Sequence, residues 1–318
     1  MQYRSVCVLG GTGFVGRHLA ARLARDGVQV KILTRHAQGH EALSVLPTVR
    51  LVTADCHDPA VLEREFRGMD AVINLVGILN ESKRRGATFR QAHVELTRKV
   101  LDACTKTGVR RLLHMSSLGA DASGPSQNLR SKGEAEGLIQ VHSNRELEPT
   151  IFQPSAIFGP EDTLFNRFAG LLRLMPVIPL ACPDARLKPV YVGDVVEAFL
   201  AALGDRSTIG QRYQLCGPDV MSLREIVEYT AATMGKRRWI VGLPDLLARL
   251  QARVMEWVPG KPFTRDNYRS LQVDNVCNED GLARLGIEAS GVDAVVPNYL
   301  GSQGLRARFA DMRRVAKR

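Results

Sequence analysis

Asn128 and Lys132, one helical turn apart, are the two side chains of this sequence that are best spaced to act on a single ligand. They belong to the stretch SQNLRSKGEAE (126–136), and residues four apart share one face of a helix. An ammonium can hold a ligand hydroxyl, but an asparagine amide cannot transfer a proton near neutral pH, as a phenol beside an ammonium can. The pair therefore indicates ligand binding without a proton donor.

Three more polar side chains stand shortly before this stretch. Ser116 and Ser117, in HMSSLGA (114–120), could hydrogen-bond a ligand oxygen, and Ser117 is a candidate catalytic residue. His114 lies in an apolar, strand-like run and is predicted to be a core residue or to support the site from behind. None of the three has a spacing to Lys132 that identifies it as a proton donor in place of Asn128. Residual catalysis stays open as an alternative.

Strand-like and helix-like segments alternate through the first two-thirds of the chain. Predicted strands cover 6–9, 29–34, 50–53, 71–76 and 111–115, and predicted helices include 14–26, 88–106 and 129–144. Near-continuous apolar strands separated by helices predict an α/β fold, a Rossmann-like, doubly wound parallel sheet with helices on both faces. We place this core at 1–158. A smaller C-terminal α/β region on the substrate or partner side is predicted at 159–318, with 188–216 returning to the sheet.

A glycine-rich turn follows the first predicted strand and opens the first predicted helix. In LGGTGFVG (9–16), Gly10 allows a tight turn, Gly13 lets the backbone approach a pyrophosphate, and Gly16 lets the helix pack close to the strand. The N–H groups at the helix start can then bind the phosphates. This spacing, in its strand–turn–helix context, predicts a dinucleotide site. Its predicted contacts are Gly10, Thr12, Gly13, Phe14, Val15, Gly16 and Arg17.

The residues after the second predicted strand favour NADP(H) over NAD(H). An acid at this position hydrogen-bonds the ribose 2′-hydroxyl, whereas a cation accommodates a 2′-phosphate. The sequence reads TRH at 34–36, with no acid nearby. Arg35 is therefore the predicted 2′-phosphate ligand, with Arg17 in support.

The ends of the later strands supply the rest of the predicted cofactor contacts. Asp55, after the third strand, is predicted to contact the adenine. Asn74, Val76 and Gly77 follow the fourth strand, where a glycine lets a ribose approach the backbone; Asn74 could instead stabilise its own loop. Ser116 and Lys132 complete the set.

The charge balance favours an anionic partner. The chain has 43 Lys and Arg against 33 Asp and Glu, a net charge of +10, which suits a phosphorylated cofactor, a lipid surface or nucleic acid. The basic residues are dispersed and no RNA-binding aromatic motif accompanies them, so nucleic acid is not the predicted partner. No apolar run reaches the roughly 18–20 residues that cross a bilayer, and no targeting segment is predicted.

The cysteines indicate a cytoplasmic protein. Six are scattered along the chain without a C-x-x-C pair, which predicts buried, reduced thiols and no metal site.

Two stretches have the pattern of docking helices. In 242–257 the apolar residues recur at helical spacing, and in the basic segment 304–318 they line one face. Such helices can lie on an anionic membrane surface. The alternative is that both pack onto the main domain, and we expect this for 242–257. The apolar residues concerned are Leu243, Leu246, Leu247, Leu250, Val254 and Trp257 in the first stretch, and Leu305, Phe309, Met312 and Ala316 in the second.

Several of these motifs together resemble the short-chain dehydrogenase/reductase superfamily, in its extended and atypical, epimerase/dehydratase-like branches. They are GGTGFVGRHL (10–19), AVINLVGIL (71–79), LLHMSSLGA (112–120) and LRSKGEAE (129–136). Further segments make the chain similar to a narrower group, which contains the NADPH-binding accessory subunit of respiratory complex I and its bacterial relatives. These segments are QPSAIFGPEDTLFNRFA (153–169), PVYVGDV (189–195) and LQVDN (271–275).

The resemblance implies a Rossmann-type sheet that binds a nicotinamide dinucleotide, with Pro154, Ser155 and Ile157 lining the nicotinamide pocket. It also implies a catalytic Ser, Tyr and Lys, in which the Tyr transfers a proton and the Lys lowers the Tyr pKa and holds the ribose. This chain has Asn128 at the tyrosine position and Leu118 at the serine position.

Two functions follow as alternatives. The first is a catalytically silent or impaired NADP(H)-binding protein, whose structural or regulatory role the resemblance links to respiratory complex I or quinone metabolism at the membrane. The second is an active NADP-dependent oxidoreductase on a quinone-like or lipid substrate, assisted by water, Lys132 or Tyr191. The resemblance places Tyr191 near the substrate pocket.

Overall fold

A computed structural model of the chain describes residues 3–82, 86–143, 146–259 and 261–300. The basic segment predicted at 304–318 lies outside this part. The described chain forms two compact units. Unit 1 contains residues up to Pro154 together with Val195–Leu215 and Glu279–Ile287, and unit 2 contains Ser155–Asp194, Cys216–Asn278 and the residues from Glu288 onward. The functional division predicted at residue 158 stays a prediction.

The strands within the described residues are short and mostly apolar. They are β1 (Ser5–Leu9), β2 (Gln29–Thr34), β3 (Val49–Thr53), β4 (Ala71–Asn74), β5 (Arg111–Met115), β6 (Glu148–Pro154), β7 (Ile157–Phe158), β8 (Val177–Leu180), β9 (Arg186–Leu187), β10 (Val190–Tyr191), β11 (Arg212–Leu215), β12 (Met221–Ser222) and β13 (Trp239–Gly242).

Helices connect most of these strands. They are α1 (Phe14–Arg25), α2 (Glu41–Ser44), α3 (Pro59–Phe66), α4 (Leu96–Thr107), α5 (Gln127–Val141), α6 (Phe165–Leu174), α7 (Val192–Gly204), α8 (Leu223–Thr233), α9 (Asp245–Met255), α10 (Arg265–Ser270), α11 (Gly281–Arg284), α12 (Val292–Val295) and α13 (Pro297–Leu300). A π-helical segment, Arg90–Glu95, precedes α4, and a 3₁₀ turn covers Arg206–Thr208.

Unit 1 is built on a seven-stranded sheet in the order β11-β6-β5-β4-β1-β2-β3. All the pairings between these described strands are parallel. The order reverses between β1 and β4, and ligands of such sheets bind outside the carboxyl ends of the strands at this switch point. The predicted Rossmann-like, doubly wound fold is confirmed, and the glycine turn after β1 lies at the switch.

Apolar side chains from the sheet and its helices form the core of unit 1. Leu9 and Leu112 on the sheet are completely buried against Phe66 of α3, Val100 of α4 and Ile139 of α5. Such burial contributes about 1.5–3 kcal/mol for each large side chain, an upper value since the unfolded chain already hides some surface. These helices are therefore held rigidly at the sheet, and the loops that follow the strands start from fixed points.

Unit 2 is assembled from two-stranded pairs and helices. β7 pairs with β10, β8 with β13, and β9 with β12. Its main core gathers Phe158, Phe165 and Leu172 with Ile178 and Ile226, so that α6 and α8 pack against one another and against β8. The segment 188–216 was predicted to return to the sheet, and only part of it does. β10 pairs with β7, whereas β11 is the edge strand of the large sheet beside β6.

The prediction of six reduced thiols is wrong for two cysteines. Cys216 and Cys277, both in unit 2, form a disulfide across 61 residues of sequence. Cys7, Cys56, Cys104 and Cys182 are free thiols. The cysteine spacing gave no sign of the pair, because the fold brings the two segments together.

Among the described helices, none is long and apolar enough to cross a membrane.

Candidate functional site

The glycine turn has the tight backbone that the sequence predicts. Gly10 has φ +75°, and a Cβ there would lie 2.9 Å from the carbonyl carbon of Leu75 in the loop after β4. A Cβ on Gly16 would lie 2.5 Å from the carbonyl oxygen of Gly10. Side chains at either position would push apart the start of α1 and the ends of two strands. Glycine is therefore required for these elements to meet.

The start of α1 lies open towards this turn. Gly13 is the N-cap residue and has no side chain to cap the helix. The first N–H groups of a helix have no carbonyl partner within it, and they carry the positive end of the helix dipole. The guanidinium of Arg17 donates to the carbonyl oxygen of Thr12 at 3.0 Å and thus stiffens the turn. The backbone of residues 13–16 fits a phosphate.

Arg35 and Asp55 follow neighbouring strands. Thr34 and Thr53 are register partners at the ends of β2 and β3, and both Arg35 and Asp55 are exposed beyond them. A carboxylate oxygen of Asp55 accepts from the N–H of His57 at 2.9 Å. Burial lowers the pKa of His57, opposed by the charge of Asp55 and assisted by the charges of Lys99 and Arg35.

The side chain of Asn74 forms hydrogen bonds with other residues of the protein. It is 1% exposed, its oxygen accepts from the N–H of Val76 at 3.2 Å, and its amide lies 3.3 Å from Nδ1 of His114. Burial, helped by the charge of Lys132, lowers the pKa of His114 to about 3, so this imidazole is neutral at physiological pH. Asn74 therefore shapes the loop that carries Val76 and the exposed Gly77, which is the alternative that the sequence left open.

A buried histidine that the sequence analysis missed joins this loop to α5. Nε2 of His93 accepts from the N–H of Ile78 at 3.3 Å, so the proton is assigned to Nδ1, which lies 2.8 Å from the hydroxyl oxygen of Ser131. Ser131 in turn donates to the carbonyl oxygen of Asn128 at 2.9 Å. Burial, with the charges of Lys132 and His114, lowers the pKa of His93 to about 3. The neutral imidazole thus fixes the loop after β4 relative to the first turn of α5.

His93 belongs to the π-helical segment before α4, where the helix departs from its regular 3.6-residue period. Such segments are frequent at functional sites. Residue periodicity alone predicts an ordinary helix here, and the sequence contains no signal that would have identified the imidazole as a link.

α5 places Asn128 and Lys132 as their spacing predicts. Ser126 caps the helix by accepting from the N–H of Leu129 at 3.2 Å, so Asn128 lies in the first turn and Lys132 one turn later. A Cβ on Gly133 would lie 2.4 Å from the backbone of Asp121, so only glycine lets α5 approach this closely.

Lys132 is the central cation of the site. Its ammonium donates to the carbonyl oxygen of Ser116 at 3.0 Å. Burial lowers its pKa to about 8, partly opposed by the negative charge of Glu136. Lys132 is therefore mostly charged at neutral pH, but it gives up its proton far more readily than an exposed lysine does.

The loop after β5 carries two buried serine hydroxyls without a hydrogen-bond partner among the described residues. The Oγ atoms of Ser116 and Ser117 are buried and make no hydrogen bond with any described residue. Leu118 is 5% exposed, and its N–H donates to the carbonyl oxygen of Pro154 at 2.9 Å. An unsatisfied buried hydroxyl costs about 1–3 kcal/mol, which a polar ligand at this loop would recover.

The predicted residues of unit 2 form their own cluster. The Ser155 hydroxyl donates to Asn275, whose side-chain oxygen also accepts from the N–H of Ala156 at 3.1 Å. Ile157 is half-buried in β7. The half-buried Tyr191 ring lies 5.8 Å from the ring of Phe158. Asn275 is thus a structural clamp on the segment after β6.

Unit 1 therefore brings together the glycine turn, the loops after β4 and β5, and Lys132. The unpartnered hydroxyls and the space that the glycines leave fit a nicotinamide dinucleotide.

Comparison with known proteins agrees with this geometry. Residues 6–216 match the NAD dependent epimerase/dehydratase family. The chain belongs to this family, an extended branch of the short-chain dehydrogenases/reductases, and the predicted resemblance is confirmed.

Two relatives and one structure show how far the family likeness extends. The chain is 30% identical over 291 residues to the mitochondrial NADH dehydrogenase [ubiquinone] 1 alpha subcomplex subunit 9 of Arabidopsis thaliana, covering 86% of this chain and 71% of that protein. It is 29% identical over 242 residues to the ceramide reductase of Caulobacter vibrioides, covering 76% and 74%. The UDP-glucose 4-epimerase of Thermotoga maritima has the same fold, with a TM-score of 0.71 at 18% identity over 90% and 94% of the two chains.

Proposed function

We propose that this epimerase/dehydratase-family protein binds NADP(H) in unit 1 and is catalytically silent or severely impaired, with a structural or regulatory role. The observation that carries the proposal is the environment of Lys132. The lysine bonds the loop that carries two unpartnered hydroxyls, while the residue one turn before the lysine is Asn128. Binding groups are present without the acid that a carbonyl reduction needs.

The glycine turn is the proposed binding site for the pyrophosphate of the dinucleotide. The N–H groups at the start of α1 hydrogen-bond the pyrophosphate, and the helix dipole stabilises its charge. Gly10 and Gly16 keep side chains out of the approach, and the bond from Arg17 to Thr12 keeps the turn in place. The family to which the chain belongs uses NAD, which supports a nicotinamide dinucleotide at this turn.

Arg35 supports NADP(H) over NAD(H). It is an exposed cation directly after β2, where no acid follows within five residues. The guanidinium can form two parallel hydrogen bonds to a phosphate, whereas a ribose 2′-hydroxyl would be recognised best by a carboxylate. Asp55 lies one strand away and is turned towards the N–H of His57.

Lys132 and the two serines then hold the other end of the cofactor. The ammonium has two donors left beyond its bond to Ser116, and these can bind ribose hydroxyls. The bound cofactor supplies a hydride donor or acceptor. The chain's own residues orient it, and the buried hydroxyls of Ser116 and Ser117 gain the partners that they lack among the described residues.

Asn128 is the reason why we propose that the protein is catalytically silent or impaired. An amide neither donates nor accepts a proton near neutral pH, and loss of a general acid costs about 10²–10⁴ in rate. Leu118, which stands at the catalytic serine position of the family pattern, is buried and apolar, so orientation of a substrate oxygen is lost as well.

The relatives support a place beside a respiratory assembly. Several matched proteins are named as subunits of mitochondrial NADH dehydrogenase, including those of Arabidopsis thaliana and Mus musculus. We propose that this chain, too, contributes a bound dinucleotide to a complex linked to respiration or quinone metabolism.

An active reductase is the second candidate, and one observation favours it. The pKa of Lys132 is lowered to about 8, so its ammonium could donate a proton to a developing alkoxide where a tyrosine is absent. The ceramide reductase of Caulobacter vibrioides is among the relatives, which makes a lipid carbonyl the substrate class to test.

One comparison separates the two candidates. The full chain is titrated with NADPH, and its turnover is measured with quinone and lipid carbonyl substrates, together with the variants Lys132→Met and Asn128→Tyr. If the protein is catalytically silent, we expect the parent to bind NADPH tightly without turnover. Lys132→Met should bind NADPH more weakly, and Asn128→Tyr should keep its NADPH affinity within about threefold of the parent. Turnover by the unmodified chain that disappears in Lys132→Met would overturn silence and establish the reductase.

A further inference from the structure

α9 packs against the rest of unit 2 through its small alanines, and its leucines face the solvent. Ala248 and Ala252 are 1% and 0% exposed, whereas Leu246, Leu250 and Val254 are 78%, 55% and 55% exposed. At about 100° per residue the two groups lie on opposite sides of the helix. α9 thus packs onto its neighbours, as expected for 242–257, but the small alanines make the contact and the large leucine side chains point outward.

The neighbouring strand pair also carries exposed apolar side chains. Trp239 and Val177 are register partners in β13 and β8, and they are 78% and 41% exposed, while Ile178 on the other face is buried in the core. α9 is attached to this pair, since the amide of Gln251 donates to the carbonyl oxygen of Pro179 at 3.0 Å. We call the six residues Val177, Trp239, Leu246, Leu250, Val254 and Trp257 the apolar face.

The net charge around the apolar face is positive, because both nearby acids are neutralised by ion pairs with arginines. Residues 236–258 contain five Lys or Arg and two Asp or Glu. Asp245 pairs with Arg249 at 2.8 Å, and Glu256 pairs with Arg265 at 3.0 Å. Arg253 makes no ion pair with any described residue and lies beside the leucines on the exposed side of α9. The border of the face is therefore cationic.

This composition matches the interface of a bilayer better than that of a protein partner. The apolar face contains Trp257 and Trp239, which are 87% and 78% exposed, together with exposed leucines and valines. Tryptophan prefers the boundary between lipid tails and headgroups, and a basic amphipathic helix binds anionic lipid through both apolar burial and charge. A protein partner would have to supply acids to match the excess of cations.

We propose that the apolar face of unit 2 docks on the surface of an anionic lipid bilayer. α9 lies along the interface, the leucine side enters the acyl boundary, and Arg253 meets the lipid phosphates. The chain is then held peripherally at the membrane. This inference does not rest on nucleotide binding, so it can fail or succeed independently of the proposed function.

Flotation of the full chain with vesicles tests the proposal. The vesicles are phosphatidylcholine alone or phosphatidylcholine mixed with phosphatidylglycerol, and the protein is the parent, Leu246→Gln/Leu250→Gln, or the control Val45→Gln/Val141→Gln. The control residues are 78% and 81% exposed in unit 1, outside the apolar face. None of these changes alters the net charge, so attraction of the basic segment 304–318 to the vesicles is equal in all three proteins.

We expect the parent and the control to float with the anionic vesicles, and the leucine variant to lose at least about tenfold in partitioning. Arg253→Gln should lose about fivefold, since one basic residue near an anionic surface contributes about 1 kcal/mol. Equal partitioning of the leucine variant and the parent would overturn the proposal. So would parent protein that stays off vesicles but forms a dimer in sedimentation that the leucine variant abolishes, because the face would then be a self-association surface.

Discussion

The ammonium of Lys132 donates to the carbonyl oxygen of Ser116 across 3.0 Å and joins α5 to the end of β5. Burial lowers the pKa of this lysine to about 8, so its charge is costly in the folded protein. Below pH 8 the lysine is charged in both states. Between about pH 8 and 10.5 the unfolded chain keeps the proton more readily than the native protein, and stability rises with pH in that window.

Lys132→Met should therefore stabilise the protein while weakening nucleotide binding. The shift from 10.5 to about 8 corresponds to about 3 kcal/mol at neutral pH, and the lost bond to Ser116 reduces the gain, so we expect about 1–3 kcal/mol in unfolding free energy. NADPH affinity should fall at least about tenfold. Denaturant unfolding and calorimetric titration measure the two effects. Lys99→Met removes a similar ammonium–carbonyl bond, to His57 at 2.7 Å, and should give no stabilisation.

His93 and His114 should make the protein sensitive to acid. Both have pKa values lowered from 6.5 to about 3, with burial as the largest cause. The unfolded chain therefore binds up to two more protons between about pH 6.5 and 3, and stability falls by as much as about 3 kcal/mol for each unit that the pH drops. Unfolding at several pH values in this range gives the slope. A slope that His114→Leu leaves unchanged would contradict the contribution of that residue.

Arg35→Ala should change the preference between the two dinucleotides. Loss of a charge-assisted contact to the 2′-phosphate should weaken NADPH by about 10- to 100-fold and NADH by less than about threefold. Arg50→Ala, which removes another exposed arginine from β3, is the matched control and should leave both affinities unchanged. Equal losses for the two nucleotides in Arg35→Ala would remove the 2′-phosphate role from this residue.

Two helical glycines should respond in opposite directions to the same substitution. A Cβ on Gly16 would lie 2.5 Å from the Gly10 carbonyl oxygen, so Gly16→Ala should cost about 2–4 kcal/mol and prevent tight dinucleotide binding. Gly137 in α5 has nothing within 4 Å of an added Cβ, and Gly137→Ala should add about 0.5–1 kcal/mol because alanine favours the helix. Thermal unfolding and NADPH titration of both variants check this contrast.

The disulfide between Cys216 and Cys277 should contribute to the stability of unit 2. It closes a segment of 61 residues, and its loss through Cys216→Ser/Cys277→Ser should cost about 2–5 kcal/mol. Peptide mass analysis without reductant should find the linked pair. Cys56→Ser/Cys182→Ser, at two half-buried free thiols, should leave the linked pair and most of the stability intact.

The sequence predicted those parts of the fold and site that depend on local spacing. The glycine turn and the Asn128–Lys132 pair are read from residues within one strand–turn–helix unit or one helical turn, and α1 and α5 begin within two residues of the predicted positions. Apolar runs predicted the first five strands for the same reason. The parallel sheet then follows from the alternation of strands and helices.

The features that were missed depend on contacts distant in sequence. His93 acts through Ile78 and Ser131, the latter 38 residues away, and Asn275 reaches back 120 residues to Ser155. The side of α9 that packs against the protein also depends on residues distant in sequence. Its periodicity predicted a helix, but the side that packs is the one with Ala248 and Ala252, which cluster with Ala181 and Tyr268.

The chain contains two tryptophans, and both belong to the apolar face. Excitation of indole therefore observes this face directly, without an engineered label. Transfer of Trp239 and Trp257 from water to an acyl boundary should shift their emission to the blue and shield it from aqueous quenchers. The protein thus carries a spectroscopic sensor of its own attachment.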